Sequence, residues 1–373
     1  MIVPDFESDL FSTIISIEKS ECKTLSRNDF RAVVHRQHKG NLQGAMMKEL
    51  VQKMLSGDKQ ALARLITLVE RESPEASEIL RAIYPHAGKA LCVGITGPPG
   101  GGKSTLVGRL TAVAREKALR VGILAVDPTS PFSGGAVLGD RIRMQQHFMD
   151  DGVFIRSMAT RGSHGGLPST APSVLKLLDA SGKDIIFVET VGVGQTEIDV
   201  METVDTVIVV LVPEAGDTIQ TMKAGLMEIA DIFAVNKADR PGADIVVADL
   251  MGMLHQKPQE SWWQVPIVAT QAVNDVGTRE LYQYIEKHYQ ALESSGNLSR
   301  KRQKQRRADL LHNIENRVTS QILKLVESDG QLTTYLQKVE EGELDPYSAA
   351  EEILGHWKLV SWVKDWLHRV EGD

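Results

Sequence analysis

Seven short apolar runs punctuate the middle of the chain: LCVGIT, VGILAV, VFIRSM, DIIFVE, TVIVVLV, IFAVNK and PIVAT, spread between Leu91 and Thr270. Each has strand length, and each is apolar along most of its length rather than at alternate positions only. That is the pattern of a strand buried on both faces. Longer stretches with helical spacing separate the runs. Strands alternating with helices predict an α/β fold, a central mostly parallel sheet flanked by helices. In such sheets ligands collect at the carboxyl ends of the strands, so the residues that close each run carry the functional information.

The first run closes on GPPGGGKS, which is Gly97, Pro98, Pro99, Gly100, Gly101, Gly102, Lys103 and Ser104, with Thr105 next in the helical pattern STLVGRLTAVAREK. This fits G-x-x-x-x-G-K-[ST] in the strand–turn–helix setting that the motif requires. Glycines let backbone N–H groups turn inward around phosphate oxygens, and the following helix adds its positive N-terminal end. Lys103 is expected to reach the β- and γ-phosphates, and the Ser104 hydroxyl to ligate magnesium. A glycine-rich turn with an accidental lysine leaves the flanking strand and helix unexplained. The chain is therefore expected to be a P-loop NTPase.

The sixth run closes on Asn236-Lys237-Ala238-Asp239. A carboxylate beside guanine accepts from both N1–H and the exocyclic amine, a donor pair that adenine lacks, so Asp239 selects GTP over ATP. Asn236 would steady the loop and the Lys237 stem would lie over the base. Asn and Asp are common turn residues; the motif gains force by ending a strand downstream of a P-loop. The seventh run exits through Ala269, Thr270 and Gln271, whose backbone is a candidate contact to the base.

Magnesium candidates close two further runs. Asp127 ends VGILAV, either as a cap for the next turn or as a magnesium-shell ligand. Asp140 follows Gly134, Gly135 and Gly139, in a segment able to order around a γ-phosphate; the alternative for it is the N-cap of the next helix. Glu189 ends DIIFVE as a Walker-B carboxylate does. It is one methylene longer than Asp and can reach an outer-sphere water on magnesium. Gly192 is then expected to face the γ-phosphate through its N–H. Gln195 invites comparison with a water-orienting Gln, yet it lies three residues beyond Gly192 rather than directly after the switch glycine. Lys103, Asp140, Glu189, Gly192 and Gln195 thus form the candidate catalytic set.

Composition narrows the partners. A net charge of -7 argues against binding nucleic acid through bulk electrostatics. The two cysteines, Cys22 and Cys92, have no CxxC spacing, so no disulfide framework or zinc site is signalled. No apolar run approaches the roughly 20 residues of a membrane span, and the start MIVPDFESDLF lacks a signal-like basic region. A cytoplasmic protein is expected. Four regions are expected along the chain: a weakly patterned extension (1–45), a helical segment (46–88), the P-loop domain (89–292) and a C-terminal helical arm (293–373). That arm carries a basic run from Arg300 to Arg307, an apolar stripe of Leu311, Ile314, Val318, Ile322 and Leu325, and a Trp-rich end.

Taken together, GPPGGGKST, VDPTSPFSGGAVLGDRIRM, RGSHGGLPST, FVETVGVGQTEID, VPEAGDTIQTMKAGLMEIADIFAVNKAD and GTRELYQYI closely resemble the MeaB/ArgK/MMAA family of GTPases, densest from 94 to 240. The resemblance implies a GTPase chaperone of an adenosylcobalamin-dependent acyl-CoA mutase, typically methylmalonyl-CoA mutase. It would gate cofactor loading and protect the mutase, with GTP hydrolysis as the timer and a homodimer joined through the C-terminal arm. The family's magnesium-site carboxylates match Asp127, Asp140 and Glu189. Its coupling loop would lie between Pro213 and Lys223, with Glu214, Asp217, Gln220 and Lys223 as candidates. Two other readings share this core. One is a metal-delivery GTPase, for which the sequence offers no Cys- or His-rich tract; His147 and His164 stand singly. The other is an ArgK-type kinase or ATPase, against which the NKAD motif argues.

Overall fold

The computed structural model describes residues 44–127, 147–159, 170–190, 203–213, 229–255 and 262–356. By packing they fall into two units, one ending at Ala291 and one beginning at Leu292. Most of the N-terminal extension, the Pro213–Lys223 coupling loop beyond Pro213 itself, and Trp357, Trp362 and Trp366 lie outside the described residues.

All seven apolar runs become strands of one sheet: β1 (Leu91–Thr96), β2 (Val121–Asp127), β3 (Val153–Ala159), β4 (Ile185–Glu189), β5 (Thr206–Leu211), β6 (Ile232–Val235) and β7 (Ile267–Ala269). Their order is β3-β2-β4-β1-β5-β6-β7, and every pairing is parallel. Strand β1 lies between β4 and β5, with Ile95 opposite Glu189 on one side and Thr96 opposite Val209 on the other. The end of β1 and the end of β4 are therefore neighbours.

Alternation along each strand divides two cores. On one face Ile185 and Phe187 of β4 and Ile208 and Val210 of β5 pack with Leu106 and Leu110 of helix α4 (Lys103–Glu116) and with Leu281, Tyr282 and Ile285 of α7 (Thr278–Ser294). On the other, Ile186 and Val188 and then Val207, Val209 and Leu211 join α5 (Ala171–Ala180), α6 (Ala243–His255) and three N-terminal helices. Those three are α1 (44–55), α2 (Lys59–Glu70) and α3 (Ala76–Ile83). Continuous apolar runs follow directly, because both parities of each strand are buried.

Helix α2 starts at Asp58, whose carboxylate accepts from the N–H groups of Gln60 and Ala61 at 2.8 and 3.0 Å. It buries Leu62, Leu65, Ile66 and Val69, each worth about 1.5–3 kcal/mol when fully removed from water. Arg156 on the edge strand β3 grips both carboxylate oxygens of Glu70, with its Nε donating at 2.9 Å. The apolar stripe anchors the helix, and the ion pair ties its last turn to β3. Ser73 lies in the turn before α3, and the helix begins at Ala76. The Ser73 carbonyl accepts from Ala76 N–H at 2.9 Å, so a tight turn precedes the first α-helical bond.

At the amino end of β4, Lys183 is buried beneath the sheet. Burial pushes its amine down to about 8, and Lys59 and Arg120 push the same way.

In the second unit, α8 (Asn297–Ser328) and α9 (Gly330–Glu340) pack together, and α10 (Pro346–Gly355) follows. Asp329 and Asp345 cap α9 and α10, each carboxylate accepting from the N–H groups two and three residues on. The stripe on α8 does not bury as a helix packed on its own domain would: Leu311, Ile314 and Val318 are 51%, 49% and 43% exposed among the described residues. Among the described residues no helix is long and apolar enough to cross a membrane.

Candidate functional site

The loop between β1 and α4 is shaped by two glycines that nothing larger could replace without displacement. Gly97 has φ +136°, and a Cβ there would lie 2.0 Å from the Val210 carbonyl oxygen of β5. Gly102 has φ +87°, and a Cβ would lie 2.3 Å from Asn236 Nδ2. The loop is thus pressed between β5 and the end of β6 before it turns into α4. Lys103 opens that helix and is buried. Its Nζ donates to the carbonyls of Gly97 at 2.8 Å and Pro98 at 3.0 Å. A buried ammonium needs such acceptors, and phosphate oxygens seated in the loop would offer it stronger ones.

Strand parity brings Glu189 to the same helix. Ile185, Phe187 and Glu189 alternate onto the face that α4 covers. There the Ser104 hydroxyl donates to Glu189 Oε1 at 2.5 Å, with both side chains buried. One residue on, Thr190 is stitched back to β1: its N–H donates to the Ile95 carbonyl at 3.1 Å, and its hydroxyl to Thr96 Oγ1 at 3.0 Å. The start of the segment after β4 is therefore fastened to the strand that enters the phosphate loop.

At the other end of the site, Asn236 is buried and joins three segments. Its Nδ2 donates to the Gly101 carbonyl at 2.8 Å. Its Oδ1 accepts from the Thr270 hydroxyl at 3.2 Å and from Ala272 N–H at 3.0 Å. Lys237 follows with φ +58°, a turn that swings the chain out so that Asp239 is exposed. Ala238 N–H donates to the Thr270 carbonyl at 3.0 Å, and Thr270 N–H to the Val235 carbonyl at 2.8 Å. Thr270 spends its backbone groups on holding the two loops side by side. Ala269 ends β7 with its carbonyl closed over by Gly277, where a Cβ would approach to 2.2 Å. The phosphate loop, the Asn236–Asp239 turn and the 269–277 loop thus share one rim of the sheet.

Of the residues expected from the sequence, Gly97 to Thr105, Glu189, Asn236, Lys237, Asp239, Ala269 and Thr270 lie on this rim. Asp127 closes β2, but its side chain, like Asp140, Gly192 and Gln195, lies outside the described residues. His147 is buried with Nε2 2.8 Å from the Gly108 carbonyl. His164 lies outside the described residues. Cys92 is half-buried at the edge of the core. Sequence reasoning missed Arg109, the one charged side chain in the run STLVGRLTAVA. Its Nε and Nη2 donate to the carbonyls of Ala272 and Val273 at 3.0 and 2.8 Å. A lone Arg inside an otherwise apolar and small-residue helix face was the available signal.

Comparison with known proteins agrees with this geometry. Residues 62–327 match the family model described as methylmalonyl Co-A mutase-associated GTPase MeaB. A Pyrococcus abyssi protein carrying a provisional GTPase name is 50% identical over 312 residues, covering 83% of this chain and 96% of its own length. The Escherichia coli GTPase ArgK is 32% identical over 319 residues, 83% of this chain and 96% of that protein. The mitochondrial methylmalonic aciduria type A homolog of Mus musculus is 31% identical over 323 residues, 82% of this chain and 78% of that protein. Among solved structures, an LAO/AO transport system kinase aligns with a TM-score of 0.61 at 27% identity, covering 83% of this chain and 96% of its own.

Proposed function

The chain belongs to the MeaB family of GTPases, and from that premise we propose that it is the GTP-driven chaperone of an adenosylcobalamin-dependent acyl-CoA mutase of the methylmalonyl-CoA type. Its enzymatic activity is GTP hydrolysis; the mutase is the partner whose cofactor loading that hydrolysis would time. The partner class rests on the family's description as mutase-associated and on the name of the mouse relative.

The observation that carries the guanine reading is the Asn236 bridge. One amide binds the phosphate loop at Gly101 and the 270–272 loop together, and the same turn delivers Asp239 three residues later. A nucleotide spanning these loops would have its phosphates at Lys103 and its base at Asp239. In this reading Lys103 transfers its ammonium from the loop carbonyls to the phosphates, and the loop N–H groups and the α4 N-terminus complete the cradle. Asp239 accepts from the guanine N1–H and amine.

The family implies magnesium beside the nucleotide. The donor set fits: a buried hydroxyl and a buried carboxylate, both hard oxygen donors, 2.5 Å apart at a strand end. Ser104 would hold the ion directly and Glu189 through water, with Asp127 and Asp140 as the further proposed carboxylates. Bound there, magnesium would neutralise charge developing on the phosphoryl oxygens. Gly192 and Gln195 remain the proposed γ-phosphate and water contacts.

A homodimer through the C-terminal unit is part of the proposal. It is supported by the packed pair α8 and α9 and by the exposed Leu311, Ile314 and Val318.

Affinity capture from source lysate on the protein loaded with a non-hydrolysable GTP analogue tests the partner: an acyl-CoA mutase should be retained, and retained less with GDP. Equal turnover of ATP and GTP by the purified protein would defeat the guanine reading and favour a kinase-like role. Lys103→Ala should abolish nucleotide binding, and Asp239→Asn should shift preference toward xanthine nucleotides.

A further inference from the structure

The 269–277 loop lies where the guanine base would sit, yet little apolar burial holds it. Strand β7 is three residues long and at the sheet edge. Beyond it, Val273 is 75% exposed and Val276 50% exposed. Only Ala272 enters the core, at 2% exposure. Loop position therefore depends on polar ties. Backbone bonds join Thr270 to Val235 and Ala238. Two side chains add to them: Asn236, which reaches Thr270 and Ala272, and Arg109, which reaches the carbonyls of Ala272 and Val273.

Arg109 belongs to α4, the helix whose first residues are Lys103 and Ser104. Six residues along a helix is a rise of about 9 Å, so phosphate-binding and loop-holding groups sit on one rigid rod. The guanidinium is planar and presents its donors as a fixed fork. Two successive carbonyls taken by Nε and Nη2 are fixed in orientation as well as in distance. Among the described residues it forms no ion pair that would draw it elsewhere. A lysine ammonium can reach two successive carbonyls, as Lys103 does, but its rotatable donors do not fix their orientation as the planar fork does.

We propose that Arg109 is a positioning residue for nucleotide selection, coupling the phosphate-binding helix to the base-side loop and fixing the height of residues 270–273 against the bound guanine. The inference rests on the GTP reading above. Arg109 touches neither phosphate nor base in this account; it acts through the loop it holds. Loss of the fork should therefore weaken the base end of the site and leave the phosphate end alone.

The test uses the full-length protein with Arg109→Gln and Arg109→Lys, measuring GTP, GDP and ATP affinity by titration, with inorganic pyrophosphate as a probe of the phosphate loop alone. Losing two charge-assisted bonds should weaken GTP and GDP together by about tenfold. The preference for GTP over ATP should narrow, pyrophosphate affinity should hold, and steady-state turnover should show the loss in KM rather than kcat. Arg109→Lys should recover part of the affinity. Unchanged guanine-nucleotide affinity in both variants would overturn the proposal. So would a loss of pyrophosphate binding in proportion, because that pattern marks general destabilisation. The Lys variant, which keeps the charge and the stem, supplies the comparison if Arg109→Gln folds poorly. A wild-type protein that binds ATP as tightly as GTP would instead defeat the guanine reading on which the proposal stands.

Discussion

Replacing Asn236 with Ala should unfasten the site and lower stability by a calculable amount. The amide makes three bonds: to the Gly101 carbonyl, the Thr270 hydroxyl and Ala272 N–H. These three partners do not lose equally. Ala272 is buried in the core beside α4, so its N–H bears the desolvation cost of a stranded donor, about 1–3 kcal/mol. The Thr270 hydroxyl can rotate toward another acceptor. The Gly101 carbonyl is also buried, so it becomes a stranded acceptor at about 1–3 kcal/mol. The sum is roughly 2–6 kcal/mol, which for a domain of this size lowers Tm by about 4–12 °C. Differential scanning calorimetry of the nucleotide-free protein reads the effect directly. Asn236→Asp separates the two sides of the bridge. It keeps the oxygen that accepts from Thr270 and Ala272 but sets a carboxylate against the Gly101 carbonyl, so it should spare the 270–272 loop and still weaken GTP binding. A Tm for Asn236→Ala within about 1 °C of wild type would refute the bridge as a structural tie.

Three further outcomes follow from the same geometry. Gly102→Ala forces φ +87° on a residue with a Cβ, a cost of about 1–2 kcal/mol, and drives that Cβ to 2.3 Å from Asn236 Nδ2. Its effect on GTP affinity, measured by calorimetric titration, should be strongly non-additive with Asn236→Ala in a double-mutant cycle; simple additivity would contradict the contact. Ser104→Ala should raise the magnesium concentration needed for half-maximal GTP turnover, read from an EDTA-buffered titration, and an unchanged requirement would remove Ser104 from the metal. Lys183→Met should stabilise the protein below pH 8 and lose that advantage as pH rises. The sign follows from the folded amine titrating at about 8 against 10.5 in the reference state. Between those values the unfolded chain binds the extra proton, so wild-type stability climbs with pH in that window. Thermal melts at pH 7 and pH 10 should show a larger gap between variant and wild type at pH 7.

The sheet was legible because both parities of each strand are buried, and Ile185 to Val188 could be recognised as a strand with no knowledge of what covers it. The P-loop was legible because the chemistry of phosphate binding demands its residues in consecutive order. The strand order was not: nothing local to Leu91–Thr96 states that its neighbours are Ile185–Glu189 and Thr206–Leu211. The partner of Glu189 was hidden for the same reason, since Ser104 reaches it only through parity and strand adjacency. Arg109 escaped notice because a charge on a helix is ordinarily solvated, and its two acceptors are backbone carbonyls that leave no trace in side-chain spelling. The fate of the α8 stripe was also invisible, since apolar spacing of 3.6 residues reads alike whether a face packs on its own domain or stays exposed.

The position of β1 has a consequence for the order in which the molecule can be made. Its two neighbours in the sheet arrive roughly ninety and one hundred and fifteen residues later in the chain, and the amide that holds Gly101 is 135 residues downstream. Synthesis runs from the amino end. The glycine-rich loop leaves the ribosome long before Val210 and Asn236 exist to shape it. A nascent chain therefore carries the complete phosphate-binding motif with no pocket, and the rim around that motif is complete only when the sixth and seventh strands have emerged and joined the sheet.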